Sequence, residues 1–316
     1  MKIVYMGTSE FAVPALKELI KNGYEVDLVV TQPDRRGNRG KIQISPIKEV
    51  ALEHGLKISQ PLRIRKDEDF MLMLEDLEPD MIVVASFGQI LPKRVLDIPR
   101  YGCFNIHGSL LPKYRGAAPM QFAIADGISN TGVTLMKMDE GLDTGDIVSA
   151  KEISLAGKDI FDLTDELSRA GAQLLIEEIP NIISGKGIYR KQDEKDASFT
   201  RLLKKSDGET DFRDDAKIEM NKLLAFRKWP VLHSYLDGKS YKFFDAEIVY
   251  SSCDADKFGM VIDINDDNFI IKCGKNALAI KELQLEGKKR MKAKDFLRGS
   301  KIKIGDRFTK KKDDIE

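Results

Sequence analysis

Much that would mark a secreted, membrane or metal-dependent protein is scarce in this sequence. Its three cysteines, Cys103, Cys253 and Cys273, are odd in number and scattered, with no Cys-x-x-Cys pair. Such a set suits neither a disulfide framework nor a structural zinc site, and it points to a reducing compartment. Of the three histidines, none is spaced as part of a ligand cluster, so no metal is expected. Long apolar runs are missing too: no stretch of about 18 such residues exists to span a membrane. The chain enters a strand pattern at Lys2 to Met6, which leaves no room for a signal or transit peptide and implies the cytoplasm. Net charge is also absent, with 51 basic and 51 acidic residues. The turn after the first strand carries only Gly7, not Gly-x-Gly-x-x-Gly, so a dinucleotide fingerprint is lacking.

What remains is a chain of 316 residues, 42% hydrophobic, able to bury a sizeable core and to form two domains. Its first half alternates strand and helix. Lys2 to Met6 reads as a strand, Pro14 to Lys21 as a helix with proline in its first turn, and Glu25 to Thr31 as the next strand. Met81 to Ala85 is a continuous apolar run, as expected of a strand covered on both faces. That grammar predicts an α/β domain with a parallel, doubly wound sheet. Gly132 to Met138 and Ile147 to Ile153 read as further strands. Ile160 to Ile183 has helical periodicity, with a break expected at Pro180. Polar, weakly patterned residues follow, and the chain divides into 1–186, a linker at 187–205, and 206–316. The last part has one helix, Asp215 to Phe226, and then short strands separated by turns such as Asp237-Gly238 and Gly274-Lys275-Asn276. A small OB-like barrel fits that pattern.

The stretch with most chemistry runs from Gly102 to Asp146. Cys103, Phe104 and Ile106 suit a short buried strand that Gly108 and Pro112 bring to an end. Asn105 and His107 alternate along it, so both point to one side at a strand end, where open α/β sheets take ligands. Asp143, in a turn bounded by Gly141 and Gly145, can supply a carboxylate. Taken singly, each has a structural reading: a hydrogen-bonded strand histidine, an asparagine serving its turn. Together they form a set for acyl transfer: oxyanion donor, proton carrier and orienting anion. Basic residues also gather locally, in Thr31 to Lys48 and in Lys281 to Glu316, which suggests a polyanionic partner at defined places.

The run Asn105-Ile106-His107-Gly108-Ser109-Leu110-Leu111-Pro112 with Gly141-Leu142-Asp143-Thr144-Gly145-Asp146 resembles the signature of the folate-dependent formyltransferases. Val4 to Phe11, Thr31 to Arg35 and Gly88-Gln89-Ile90-Leu91-Pro92 match the same class. The basic 31–48 loop, Trp229-Pro230, and Gly287 to Met291 with Asp295 to Leu297 favour the branch that acts on methionyl-tRNA. The chain departs from that pattern at Ser86-Phe87, in a loop one residue short after Lys41, and at Arg227-Lys228.

The resemblance implies a Rossmann-like catalytic domain, an OB-like tRNA-binding domain, and transfer of a formyl group from 10-formyltetrahydrofolate to the α-amine of methionyl initiator tRNA. Asn105 would then donate to the oxyanion, His107 would carry the proton, and Asp143 would orient the imidazole. Folate is expected against Phe87, Gly88, Ile90, Leu91 and Gly141, with Ser109, Leu110, Leu111 and Pro112 shaping the formyl end. Arg36, Arg39 and Lys41 are expected at the acceptor end of the tRNA, and Lys288, Lys289 and Arg290 on its body. A monomer without metal suffices. The other readings are a sugar-nucleotide formyltransferase and a catalytically idle RNA-binding protein.

Overall fold

The computed structural model describes residues 1–36, 42–252 and 254–311, and it separates into two compact units. The first holds Met1–Pro119, Ser129–Ala156 and Asp162–Thr200. The second holds Met120–Ile128, Gly157–Phe161 and the residues from Arg201 on.

A seven-stranded sheet is the frame of the first unit. Across it lie Ile147–Ser154, Asn130–Lys137, Cys103–His107, Met81–Ala85, Lys2–Gly7, Glu25–Val30 and Ile58–Ser59. From Cys103–His107 to Ile58–Ser59 neighbouring strands are parallel, whereas Asn130–Lys137 and Ile147–Ser154 are added antiparallel. Met81–Ala85 is buried at every position, which is why it reads as unbroken apolar sequence. The chain begins mid-sheet, moves out to one edge, then returns to the other side of its first strand. That reversal lies between Lys2–Gly7 and Met81–Ala85, where Gly7 is in register with Ala85. A crevice outside the carboxyl ends of such strands is the usual ligand position in open α/β sheets.

Local chemistry fixes the helices. In Glu68–Leu77 the Asp67 carboxylate caps the first turn by accepting from the Phe70 N–H at 3.0 Å. The break expected at Pro180 does not occur: one helix runs Ile160–Ile183 with Pro180 inside it. Pro180 costs the helix the one hydrogen bond its N–H would have given, but only a single turn lies beyond it, and its carbonyl still accepts from the Ser184 N–H at 3.1 Å. Residues 187–200 continue the first unit. They add a short strand, Phe199–Thr200, parallel to Arg115–Gly116.

Six antiparallel strands form the second unit, in the order Leu232–Leu236, Lys239–Val249, Ala277–Leu285, Phe269–Lys272 and Val261–Ile264, with Met291–Lys292 paired to Ala277–Leu285. The segment near its end bridges both edges. Tyr235 exchanges two hydrogen bonds of 2.9 Å with Thr309, and Val261 N–H donates to the Asp306 carbonyl at 2.8 Å. A sheet so joined is a small barrel. Phe212, Phe243, Phe269 and Phe308 meet in its core, with Phe308 centroids 5.7 Å from Phe243 and 6.2 Å from Phe212.

Candidate active site

The Cys103–His107 strand lies between Met81–Ala85 and Asn130–Lys137 and is buried along its whole length. Asn105 and His107 are 9% and 6% exposed there. Asp143 reaches them from the turn between Asn130–Lys137 and Ile147–Ser154. Asn105 Nδ2 is 3.5 Å from Asp143 Oδ1, and His107 Nδ1 is 3.6 Å from Asp143 Oδ2. The three residues therefore converge as the sequence suggested.

Two further partners come from the main chain. The Gly116 N–H donates to Asp143 Oδ2 at 2.8 Å. His107 Nε2 is 3.0 Å from the Tyr114 carbonyl oxygen. A carbonyl can only accept, so Nε2 carries the proton and Nδ1 is the nitrogen that faces the carboxylate. The firm contact that orients the imidazole is thus with Tyr114; the one to Asp143 is looser.

Backbone strain and close approach shape both loops. Asp143 has φ +54° and Tyr114 φ +59°, left-handed values that a residue with a Cβ rarely takes. Within the Asp143 turn the Asp139 carboxylate accepts from the Gly141 N–H at 3.0 Å and from Thr144 Oγ1 at 2.6 Å. A Cβ on Gly145 would fall 1.8 Å from the Lys137 carbonyl oxygen, so only glycine fits. In the other loop, fully buried Ser109 donates through its hydroxyl to the Lys113 carbonyl at 2.6 Å. Thr134 Oγ1 donates to the Ser109 carbonyl at 2.7 Å and accepts from the Leu111 N–H at 3.1 Å. The Leu111–Pro112 peptide bond is cis.

Residues 189–200 run beside both loops. The Ser198 carbonyl accepts from the Arg115 N–H at 2.8 Å, its hydroxyl accepts from the Tyr114 N–H at 2.8 Å, and Thr200 Oγ1 donates to the Arg115 carbonyl at 3.0 Å. On the other side, the Arg190 and Ile147 main chains exchange two hydrogen bonds of 2.8 and 2.9 Å. Gln192 Nε2 donates to the carbonyls of Asp143 and Gly145 at 2.8 and 2.7 Å. Arg115, wholly buried, donates to Gln192 Oε1 and, bidentately, to Glu194. That guanidinium holds the Glu194 carboxyl below the usual carboxylate range. Sequence reasoning missed Tyr114, Gly116, Arg115 and Gln192. Two of them act through main-chain atoms, and Gln192 sits in a polar stretch whose spacing gives no signal.

The segments named for the folate border the reversal point. Thr8 Oγ1 and Gln32 Nε2 both donate to the Phe87 carbonyl at 3.1 Å. Phe87 and Leu91 are buried and back this wall, while Gly88, Gly141 and Ile90 are exposed, Ile90 by 61%. Leu111 is buried with Met136 and Ile147; Leu110 and Pro112 are half-buried. Burial pushes the Cys103 thiol up to about 12, so it supplies no thiolate beside Asn105 at neutral pH.

Of the residues named for tRNA, Arg39 and Lys41 lie outside the described residues. The Arg36 main chain pairs with Ile42 in a two-stranded ribbon. Lys288, Lys289 and Arg290 are exposed on a turn of the second unit. Arg290 is engaged by Glu282 and lies 4.2 Å above the Phe244 ring. Among the described residues, no group of three or more His, Cys, Asp or Glu side chains is placed to hold a metal ion, and no helix is long and apolar enough to cross a membrane.

Residues 1–179 match the family model described as formyl transferase, and residues 202–301 match formyl transferase, C-terminal domain. A methionyl-tRNA formyltransferase from Lachnospira eligens is 43% identical over 312 residues, covering 96% of this chain and 98% of its own. One from Bacillus subtilis is 42% identical over 308 residues, covering 96% of each. Among solved structures, an N-formyltransferase from Helicobacter canadensis, in complex with folinic acid and dTDP-3-aminofucose, superposes with TM-score 0.66 at 21% identity. The match covers 89% of this chain and 99% of that one.

Proposed function

The chain belongs to the formyl transferase family, and we propose that it transfers the formyl group of 10-formyltetrahydrofolate to the α-amine of methionine on charged initiator tRNA. The observation that carries this reading is the meeting of Asn105, His107 and Asp143 at the carboxyl end of one strand, in a chain similar to methionyl-tRNA formyltransferases over nearly its whole length. The sugar-nucleotide enzymes share its fold at much lower identity.

In the reaction a C–N bond forms between the amine and the formyl carbon, and the bond from that carbon to folate N10 breaks. One proton leaves the amine and one reaches N10. Asn105 Nδ2 has one hydrogen directed at Asp143 and a second available to the oxygen on which charge develops, a donation worth about 3 kcal/mol when preorganised. Proton handling falls to the pair formed by His107 Nδ1 and Asp143, since Nε2 is committed to the Tyr114 carbonyl. Carboxylate and imidazole together can accept the amine proton and return it to the leaving nitrogen without a covalent enzyme intermediate or a metal. The exposed apolar Ile90 and the Gly88 and Gly141 main chains suit the flat ring of a reduced folate.

The division of labour proposed is catalysis by residues 1–186, with 187–200 packed on the same unit, and tRNA binding by residues 206–316. Arg36, Arg39 and Lys41 guide the aminoacylated end, while Lys288, Lys289 and Arg290 meet phosphates of the tRNA body. In this reading the protein is a monomer of the cytoplasm, with Asn105, His107 and Asp143 supplied by one chain. The test is turnover with 10-formyltetrahydrofolate and charged initiator tRNA, run beside an amino-sugar nucleotide. Formylation of the tRNA alone supports the reading, and formylation of the sugar alone removes it.

A further inference from the structure

Arg115 is a fully buried cation in the first unit, 0% exposed. Its charge is met at one end by Glu194, whose two oxygens accept from Nη1 and Nη2 at 2.9 Å each. Its Nε donates to Gln192 Oε1 at 3.0 Å. An arginine can only donate and a carbonyl can only accept, so the Gln192 amide has one orientation. Oε1 faces Arg115, and both Nε2 hydrogens face the carbonyls of Asp143 and Gly145 at 2.8 and 2.7 Å. The amide lacks freedom to rotate, and the turn it grips is the one that carries the Asp143 carboxylate.

That grip matters because the turn is unusual. Asp143 has a positive φ, a conformation disfavoured by its Cβ. Its carboxylate stands 3.5 Å from Asn105 Nδ2 and 3.6 Å from His107 Nδ1, distances at which a small displacement alters both contacts. We infer that Gln192, anchored by the Arg115–Glu194 pair, is a positioning residue for formyl transfer, clamping the Asp143 turn in the conformation that presents its carboxylate to His107 and Asn105. The inference rests on the proposed role of Asp143 in the reaction. Gln192 hydrogen-bonds to none of the three side chains and acts through the main chain of the turn, as supporting residues around a reactive group do.

Two variants of the full chain separate the clamp from a general effect on folding. Gln192→Glu is isosteric and keeps an acceptor for Arg115 Nε, yet turns an oxygen towards the two carbonyls; Gln192→Ala removes the side chain. In both, amide hydrogen exchange of a peptide covering 141–147 is expected to accelerate, while exchange in Met81–Ala85 stays as in the unaltered protein. Turnover on charged initiator tRNA should fall about 10- to 100-fold with little change in KM. At saturating folate, adding Gln192→Ala to Asp143→Ala should cost no further turnover, because the clamp then reaches the chemistry through that carboxylate. Unchanged exchange at 141–147 in both variants overturns the inference, as does a Gln192→Ala loss that multiplies onto the Asp143→Ala loss. Failure of the unaltered protein to formylate the tRNA removes the proposed function instead, and the exchange result then decides the clamp by itself.

Discussion

His107 Nε2 lies 3.0 Å from the carbonyl oxygen of Tyr114, closer than the 3.6 Å that separates its Nδ1 from Asp143. The imidazole is therefore oriented by the main chain, and in the proposed reaction the carboxylate takes part in proton transfer. Asp143→Asn keeps the shape of the side chain and removes its basicity. It should lower turnover by about 100-fold or more, as Asn105→Ala and His107→Ala should, with little effect on tRNA affinity. Combined, the three losses should fall well short of their product. Steady-state kinetics of single and combined variants check this, and near-normal turnover in any one removes that residue from the reacting set.

Gly145 holds the same turn by its lack of a side chain. A Cβ there would stand 1.8 Å from the Lys137 carbonyl oxygen, and backbone on both sides cannot yield cheaply. Gly145→Ala should cost about 1–3 kcal/mol in urea unfolding and should also reduce turnover, because Asp143 is displaced with the turn. Unaltered stability and rate would mean that the turn adapts freely.

Glu194 supplies a pH-dependent contact. Arg115 holds its carboxyl below the ordinary range, so the contribution is complete above the unfolded-state value and is lost as pH falls through the lower folded value. Glu194→Gln should lower Tm at about pH 7, and the gap to the unaltered protein should narrow as pH falls below the ordinary carboxylate range. A gap that widens in acid would contradict the assignment.

The three basic residues on the second unit are not equivalent. Lys288 and Lys289 are exposed, whereas Arg290 is held by Glu282 and stacked on Phe244. Lys288→Ala with Lys289→Ala should raise KM for tRNA and reduce the slope of its log–log salt dependence in proportion to the phosphate contacts removed. Arg290→Ala should change that slope less and instead cost about 0.5–1 kcal/mol of stability. An unchanged slope in the double variant would place the tRNA on another face.

The sheet and the convergence of Asn105, His107 and Asp143 were legible because their signals are local. Unbroken apolar runs mark strands buried on both faces, and alternation puts Asn105 and His107 on one side of theirs. Asp143 announced itself through its flanking glycines, which the close approach of Gly145 to Lys137 explains. Pro180 misled, because a proline costs a helix one hydrogen bond without having to end it, and only a single turn lies beyond this one. Residues 189–200 were opaque for a different reason. Their side chains serve partners far away in sequence, as Gln192 serves Asp143 and Ser198 serves Tyr114, so neither polarity nor spacing betrays them.

A single-turnover transfer with donor labelled in the formyl carbon tests the central claim most directly. The unaltered protein is mixed with labelled 10-formyltetrahydrofolate and charged initiator tRNA, the ester is hydrolysed, and the label is located. The account predicts one labelled formyl group on the methionine α-nitrogen for each tetrahydrofolate released, and almost none in Asn105→Ala. Label recovered as free formate, or on an amino-sugar nucleotide in preference to the tRNA, would contradict it.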